Sequence, residues 1–196
     1  MKFKLTLLIL VILSVKGFAQ SNNNISVQYA STSNTVNIHG AIGDFGYNDS
    51  KGKVFSLNYS RNINPVFSIE SGLQYNNNTI QLTTIGPRGA TYNGELNLIT
   101  VPVIAKFTFF KYLFADCGIL ADFETNYASS EANSSATKQT GIGCELGFGA
   151  KYAFGHVQIF VNPFFQNHTI VPFGGASGSN FNLIDTGVKF GLGYNF

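Results

Sequence analysis

Two-residue alternation governs this chain, and its consequence is plainest in the last ten residues, GVKFGLGYNF (187–196). Val188, Phe190, Leu192, Tyr194 and Phe196 fall on one face of an extended strand, while Gly187, Lys189, Gly191, Gly193 and Asn195 fall on the other, because strand side chains alternate with period two. Five large apolar groups on one strand face need an apolar neighbour. That neighbour is either the rest of the protein or lipid.

The remainder of the chain decides between them. Alternating segments are expected at 34–44, 53–61, 66–78, 95–109, 112–124, 139–153, 156–168 and 183–196, and no helical apolar stripe competes with them over a long window. The connections NINP, FKY and FG are tight turns; DFGYNDSK, TIGPRGATYNG, NYASSEANSSATK and VPFGGASGSNFN are long and polar. Short and long connections alternate along the chain, the arrangement of a membrane barrel with short turns at one rim and longer loops at the other. One face gathers groups such as Phe55, Leu57, Tyr59, Ile69, Val103, Ile119, Leu146, Ile159 and Phe190, and the expectation is that this face carries no charge. The opposite face gathers Ser56, Asn58, Glu70, Gln74, Thr100, Asn162 and Gln166, with Lys106, Asp116, Glu145, Lys151, Asp185 and Lys189. Apolar outside and polar inside predicts an all-β fold, an eight-stranded antiparallel up-and-down transmembrane β-barrel, with lipid as the neighbour.

Composition agrees. The chain is 11% charged, against roughly 25% in an average soluble domain, and its 21 glycines and 19 phenylalanines suit strands and turns better than helices. The N-terminus MKFKLTLLILVILSVKGFAQ has two early lysines, an apolar run too short to span a bilayer, and small residues before Gln20. It predicts a signal peptide over 1–19, followed by a polar leader over 20–33 in which ISVQYA has the pattern of an extra strand, and the barrel domain over 34–196. Loss of Lys2, Lys4 and Lys16 with that peptide leaves nine of the twelve basic residues against ten acidic ones, a net charge near −1. A role on nucleic acid therefore has no electrostatic support.

With its secretory N-terminus, the segment LITVPVIAKF (98–107) and the terminal GLGYNF, the chain resembles the small outer-membrane β-barrels of Gram-negative bacteria, the porin-like family of the OmpA/OmpX type. The resemblance covers about residues 34–196. It implies location in the cell outer membrane, contact with outer-membrane lipid, insertion by the barrel-assembly machinery, and an extracellular ligand through the loops as one role. It says little about activity, since one fold hosts many functions. Pro163 in FVNPFF departs from an ideal interior strand and predicts a bulge or bend there.

Eight strands leave an interior that side chains can fill. Glu70, Asp116, Glu145 and Asp185 against Lys106, Lys151 and Lys189 then read as a structural lumen ion-pair network, with Ile104, Phe114, Leu120, Phe160 and Phe164 as an apolar plug. A three-residue turn at 110–112 sets Lys106 opposite Asp116, and the expectation is that the two form an ion pair. Phe107, Tyr152, Tyr194 and Phe196 are expected as aromatics of the periplasmic rim. Cys117 and Cys144, the only cysteines, are expected as neighbours on the lipid face, either bonded as a disulfide or as two free thiols.

His39, His156 and His168 have no metal-ligand spacing, so neither metal nor cofactor is expected. A lipid-modifying enzyme would need a His with a Ser and a carboxylate near the outer rim; His168 sits near that level, and no pattern singles out a triad. Tyr47, Tyr92, Tyr127 and Phe173 in Gly/Ser/Asn-rich loops suit surface contact. The leading expectation is a non-enzymatic surface barrel with a filled lumen, its loops making external contacts or supporting the envelope. A small passive porin-class channel is the alternative.

Overall fold

The computed structural model describes residues 22–39, 45–48, 50–84, 91–129, 139–173 and 180–196. The expected signal peptide lies outside them. The strands are β1 (Asn23–His39), β2 (Phe45–Asn48), β3 (Ser50–Asn62), β4 (Phe67–Thr84), β5 (Thr91–Phe109), β6 (Leu113–Ser129), β7 (Gly141–Phe154), β8 (Val157–Pro172) and β9 (Asn180–Asn195). β2 and β3 both pair with β4 and act as one stave, so the ring has eight. All pairings are antiparallel, and the order β4-β3-β1-β9-β8-β7-β6-β5 returns to β4 through the β4–β5 ladder. The sheet is closed, so it has no free edge.

The barrel begins at Asn23, eleven residues before the expected start at 34. Residues expected as a leader are the first half of β1, which pairs with β3 from Asn23↔Arg61 to Asn34↔Ser50 and with β9 from Asn24↔Asn195 to His39↔Asn180. Closure demands this, since β9 and β3 would otherwise expose unpaired edges. Ile25, Val27 and Tyr29 face outward and Ser26, Gln28, Ala30 and Thr32 inward, so the segment has the same two faces as every other stave. β4, β5 and β6 also run further into the polar connections than their apolar stretches predict.

The short connections lie at one rim. Phe109↔Leu113 closes the turn 110–112, where Phe110 (φ 52°) and Lys111 (φ 68°) both take the left-handed conformation. Gly155 (φ 62°) supplies the same geometry between Phe154 and Val157 without a Cβ penalty. Aromatic rings band this rim: Phe67 lies 5.1 Å from Phe107, Tyr112 stacks on Tyr152 at 6.0 Å, and His156 stacks on Tyr194 at 5.6 Å.

The outer wall is apolar along its middle, with Leu57, Leu73, Ile119, Leu146, Phe190 and Leu192 all exposed. It is not free of charge, contrary to expectation. Lys51, Lys53 and Arg61 share the outward face of β3 with Phe55, Leu57 and Tyr59. They stand at its two ends, where a long cationic side chain reaches polar surroundings and the cost of charge on a lipid-facing wall falls away.

Two bulges break the alternation. In β6, Thr125 is the extra residue between Asn97↔Asn126 and Leu98↔Glu124. In β8, three residues (168–170) oppose the single residue Gly143, between Cys144↔Asn167 and Ile142↔Val171. The bulge expected at Pro163 is absent: Pro163 faces outward, pairs in register with Val188, and the β7–β8 register is the same on either side of it. A proline on the outer face lacks only its own ladder donor, which interrupts pairing without inserting a residue.

Candidate functional site

All eight staves converge on the interior, which is largely polar. From the short-turn rim inward it opens as a vestibule of about 50 Å³ whose lining includes Asn24, Ser60, Ser68, Lys151 and Gln158. Phe114 and Phe160, edge to face at 6.2 Å, form its floor with Glu70 and Lys106. Room for these rings comes from glycine on the flanking staves: a Cβ on Gly191 would meet Phe160 Cζ at 2.0 Å, and one on Gly149 would meet Phe114 Cζ at 2.4 Å.

From this floor inward lie two buried ion pairs. Lys106 Nζ donates to Glu70 Oε2 at 2.5 Å, and Glu70 Oε1 also accepts from Gln28 (3.1 Å) and Asn58 (3.0 Å). Lys106 is directly opposite Asp116, as the turn length requires, but the expected bond between them is not made. Its ammonium is instead over the faces of Phe114 and Phe160, 5.5 and 5.3 Å from their centroids, and reaches Glu70 on the neighbouring stave. Asp116 accepts from Asn162 at 2.8 Å. The second pair is Lys189 with Glu145, the lysine lying 4.4 Å from the Phe164 centroid and Glu145 also accepting from Gln166 at 2.6 Å. Lys151 belongs to neither pair; it donates to Thr108 Oγ1 at 2.8 Å. The seven charges thus form two separate pairs and three individually held groups, rather than one balanced network.

Further along, Gln74 of β4 and Gln166 of β8 bond at 3.2 and 3.3 Å. Those staves are four places apart in a ring of eight, so this bond crosses the full diameter. Ile104, Phe114, Leu120, Phe160 and Phe164 are all buried in the lumen, joined by Leu96, Leu98 and Leu183, whose inward parity the sequence reading left out.

Asp122 and His168 form the cluster that sequence reasoning missed. His168 is fully buried with Nδ1 2.9 Å from Asp122 Oδ1 and Nε2 3.4 Å from Asp185 Oδ2. Thr100 Oγ1 donates to the same Asp122 oxygen at 2.7 Å, and the Thr169 amide donates to Oδ2 at 3.2 Å. That amide is available because the β8 bulge turns Thr169 (φ 52°) inward beside His168. Even parity along β6 and β8 was the available signal. An acid–base triad requires a hydroxyl on the free imidazole nitrogen; here Nε2 faces a second carboxylate, in a site closed to solvent.

On the outer wall, Cys117 pairs with Leu146 and Cys144 with Ile119, so the cysteines are offset by one same-face position and both are free thiols. The candidate disulfide is not formed, because the register differs by two residues from the one that would align them. Phe107, Tyr152 and Tyr194 are exposed at the short-turn rim, and Phe196 is half-buried there, its amide bonding Asn23 O at 2.9 Å. Among the loop aromatics, Phe173 is exposed and contacts Phe123 at 6.4 Å; the side chains of Tyr47, Tyr92 and Tyr127 lie outside the described residues, as does that of His39.

Among solved structures the chain is similar to the outer membrane protein OprG from Pseudomonas aeruginosa, at 13% identity and a TM-score of 0.54, over 89% of this chain and 96% of that one. The chain has the fold of the small outer-membrane β-barrels. This barrel also aligns with Ail, the attachment invasion locus protein of Yersinia pestis (12% identity, TM-score 0.45, 87% of this chain and 99% of that one). A third alignment is with the N-terminal β-barrel domain of Pseudomonas aeruginosa OprF (12% identity, TM-score 0.40, 87% and 97%). No protein-family model and no curated protein sequence matches it.

Proposed function

We propose that the protein resides in the bacterial outer membrane as a non-enzymatic barrel with a closed lumen, and that its polar loops face outward to make surface contacts or support the envelope. The single observation that carries this reading is the Gln74–Gln166 bond across the full diameter, flanked by the Glu145–Lys189 pair on one side of the same layer. A continuous water path needs that layer to open, and opening it strands a buried carboxylate and ammonium without partners. The burial of His168, with Nε2 facing the Asp185 carboxylate among the described residues, supports a role other than lipid chemistry.

Reconstitution into planar bilayers tests the reading. The full-length protein is expected to give no steady unitary conductance. Reproducible ohmic steps from the folded barrel would overturn the closed lumen and establish the channel reading in its place.

A further inference from the structure

The short-turn rim carries a site whose two halves differ in chemistry. On the outer wall of β7 and β8, Ala150 is a small residue among large ones, and a groove of about 590 Å³ opens over it between Tyr112, Tyr152, Ile159 and Phe190. Its walls are almost wholly apolar. At its rim end the groove shares Tyr112, Lys151 and Tyr152 with a pocket of about 140 Å³, of mixed polar and apolar lining, that adds Lys111, Ala153 and Gln158. Local structure holds the junction in shape. The Lys151 amide donates to Tyr112 O at 2.7 Å, and the two tyrosines stack across the β6–β7 boundary.

The side-chain charge at this rim has one sign. Residues 61–69, 107–115, 150–160 and 190–196, which build it, include Arg61, Lys111 and Lys151 and contain no Asp or Glu. Among the described residues neither Lys111 nor Lys151 has a carboxylate in ion-pair range, whereas Lys106 and Lys189, deeper in the lumen, each have one. Lys111 is exposed, 5.6 Å from the Tyr112 ring.

We propose that this rim binds one anionic glycerophospholipid of the surrounding leaflet, an acyl chain lying in the groove over Ala150 and the phosphate between Lys111 and Lys151. The groove has the polarity of a hydrocarbon chain and runs toward the two cations that an oxygen-rich phosphate requires. The Tyr112–Tyr152 pair sits where chain meets headgroup, the level at which amphipathic rings are favoured. The inference rests on the membrane placement proposed above.

Native mass spectrometry of the detergent-extracted full-length barrel with added dioleoyl phosphatidylglycerol tests it. The wild-type protein is expected to retain one lipid. Lys111→Gln with Lys151→Gln should lower retention about thirtyfold, from about 1 kcal/mol per lysine at an anionic surface and about a tenfold change per 1.4 kcal/mol. Ala150→Phe should lower it similarly with both lysines intact, by filling the groove; Ala150→Leu serves if the phenylalanine variant does not fold. Lys51→Gln with Lys53→Gln, at the opposite end, should change nothing. Retention unaltered in the rim variants overturns the inference, as does full displacement by inorganic phosphate, which has no chain to use the groove. A lipid-free dimer whose interface is lost in Ala150→Phe also overturns it, by assigning the groove to a second copy. A barrel that inserts into vesicles yet retains no lipid rejects this inference alone, whereas one that fails to insert rejects the membrane placement as well.

Discussion

Lys106 stands directly opposite Asp116 on β6, yet it bonds Glu70, on the stave to its other side, at 2.5 Å. Register fixes which residues are neighbours across a ladder. The ammonium of a long side chain chooses among the carboxylates within reach, and it settles where Gln28 and Asn58 already orient Glu70. Glu70→Gln should therefore destabilise the barrel by about 3–5 kcal/mol, the scale for removing one partner of a buried pair. Glu70→Gln combined with Lys106→Met should recover much of that loss. Urea unfolding in detergent, run as a double-mutant cycle, measures both. Asp116→Asn costing as much as Glu70→Gln would show that the pairing is misassigned.

The two aspartates beside His168 differ in support. Asp122 accepts from Thr100, His168 and the Thr169 amide, whereas neither oxygen of Asp185 has a hydrogen bond among the described groups. Asp122→Asn should cost about 3 kcal/mol, since several hydrogen bonds to a charged acceptor weaken together. Asp185→Asn should cost less than Asp122→Asn, because its one contact among the described residues is the 3.4 Å approach of His168 Nε2 and a buried charge is removed with it. Equal effects on the unfolding midpoint would contradict the asymmetry.

Gly191 and Phe160 share one volume. Gly191→Ala places a methyl where the Phe160 ring tip now lies, and overpacking of this kind costs about 1–3 kcal/mol. Phe160→Leu removes the ring tip, so the double variant should be more stable than Gly191→Ala alone. Additive losses in the pair would mean that the ring swings clear, and that glycine here serves some purpose other than space.

The β6–β7 register has a chemical readout. Cys117 and Cys144 should resist oxidative cross-linking because they are diagonal, with Cys117 opposite Leu146. Leu146→Cys in a Cys144→Ala background sets two thiols on one rung, within the roughly 4.4–6.8 Å Cα range a bridge requires. A mild oxidant should close that pair and leave the native pair reduced, as read by gel shift after thiol alkylation. The reverse pattern would move the register by two residues.

Alternation made the two faces legible, and the odd-numbered turn at 110–112 made the Lys106–Asp116 rung legible with them. What it hid has physical causes. β1 was obscured because only Ile25, Val27 and Tyr29 mark its outer face, amid serine, threonine and asparagine that read as coil. The outer halves of β4, β5 and β6 carry asparagine and threonine on both faces, so they continue as strand where the pattern fades. Even parity along β8 points His168 inward, but the bulge that adds Thr169 spends residues without changing local composition, so the Asp122 cluster as a whole has no signal in the sequence. The cysteine register failed for a related reason, since a long connection leaves the offset between its two strands undetermined by length. Lys53 and Arg61 were misjudged because alternation assigns a face and says nothing of depth.

The ladder between β1 and β9 joins residues as far apart as 171 positions in sequence, Asn24 with Asn195. Everything between them must be in place before that seam can form, so the slowest contact to find is also the one that removes the last exposed edges. Until then β1 and β9 each present a full row of unpaired amides and carbonyls, and hydrocarbon tolerates no such row. The staves therefore cannot enter a bilayer one at a time. Either closure and insertion occur together, or a borrowed strand shields both edges until the final residues arrive. A chain truncated within β9 should accumulate outside the membrane rather than insert as a shorter barrel.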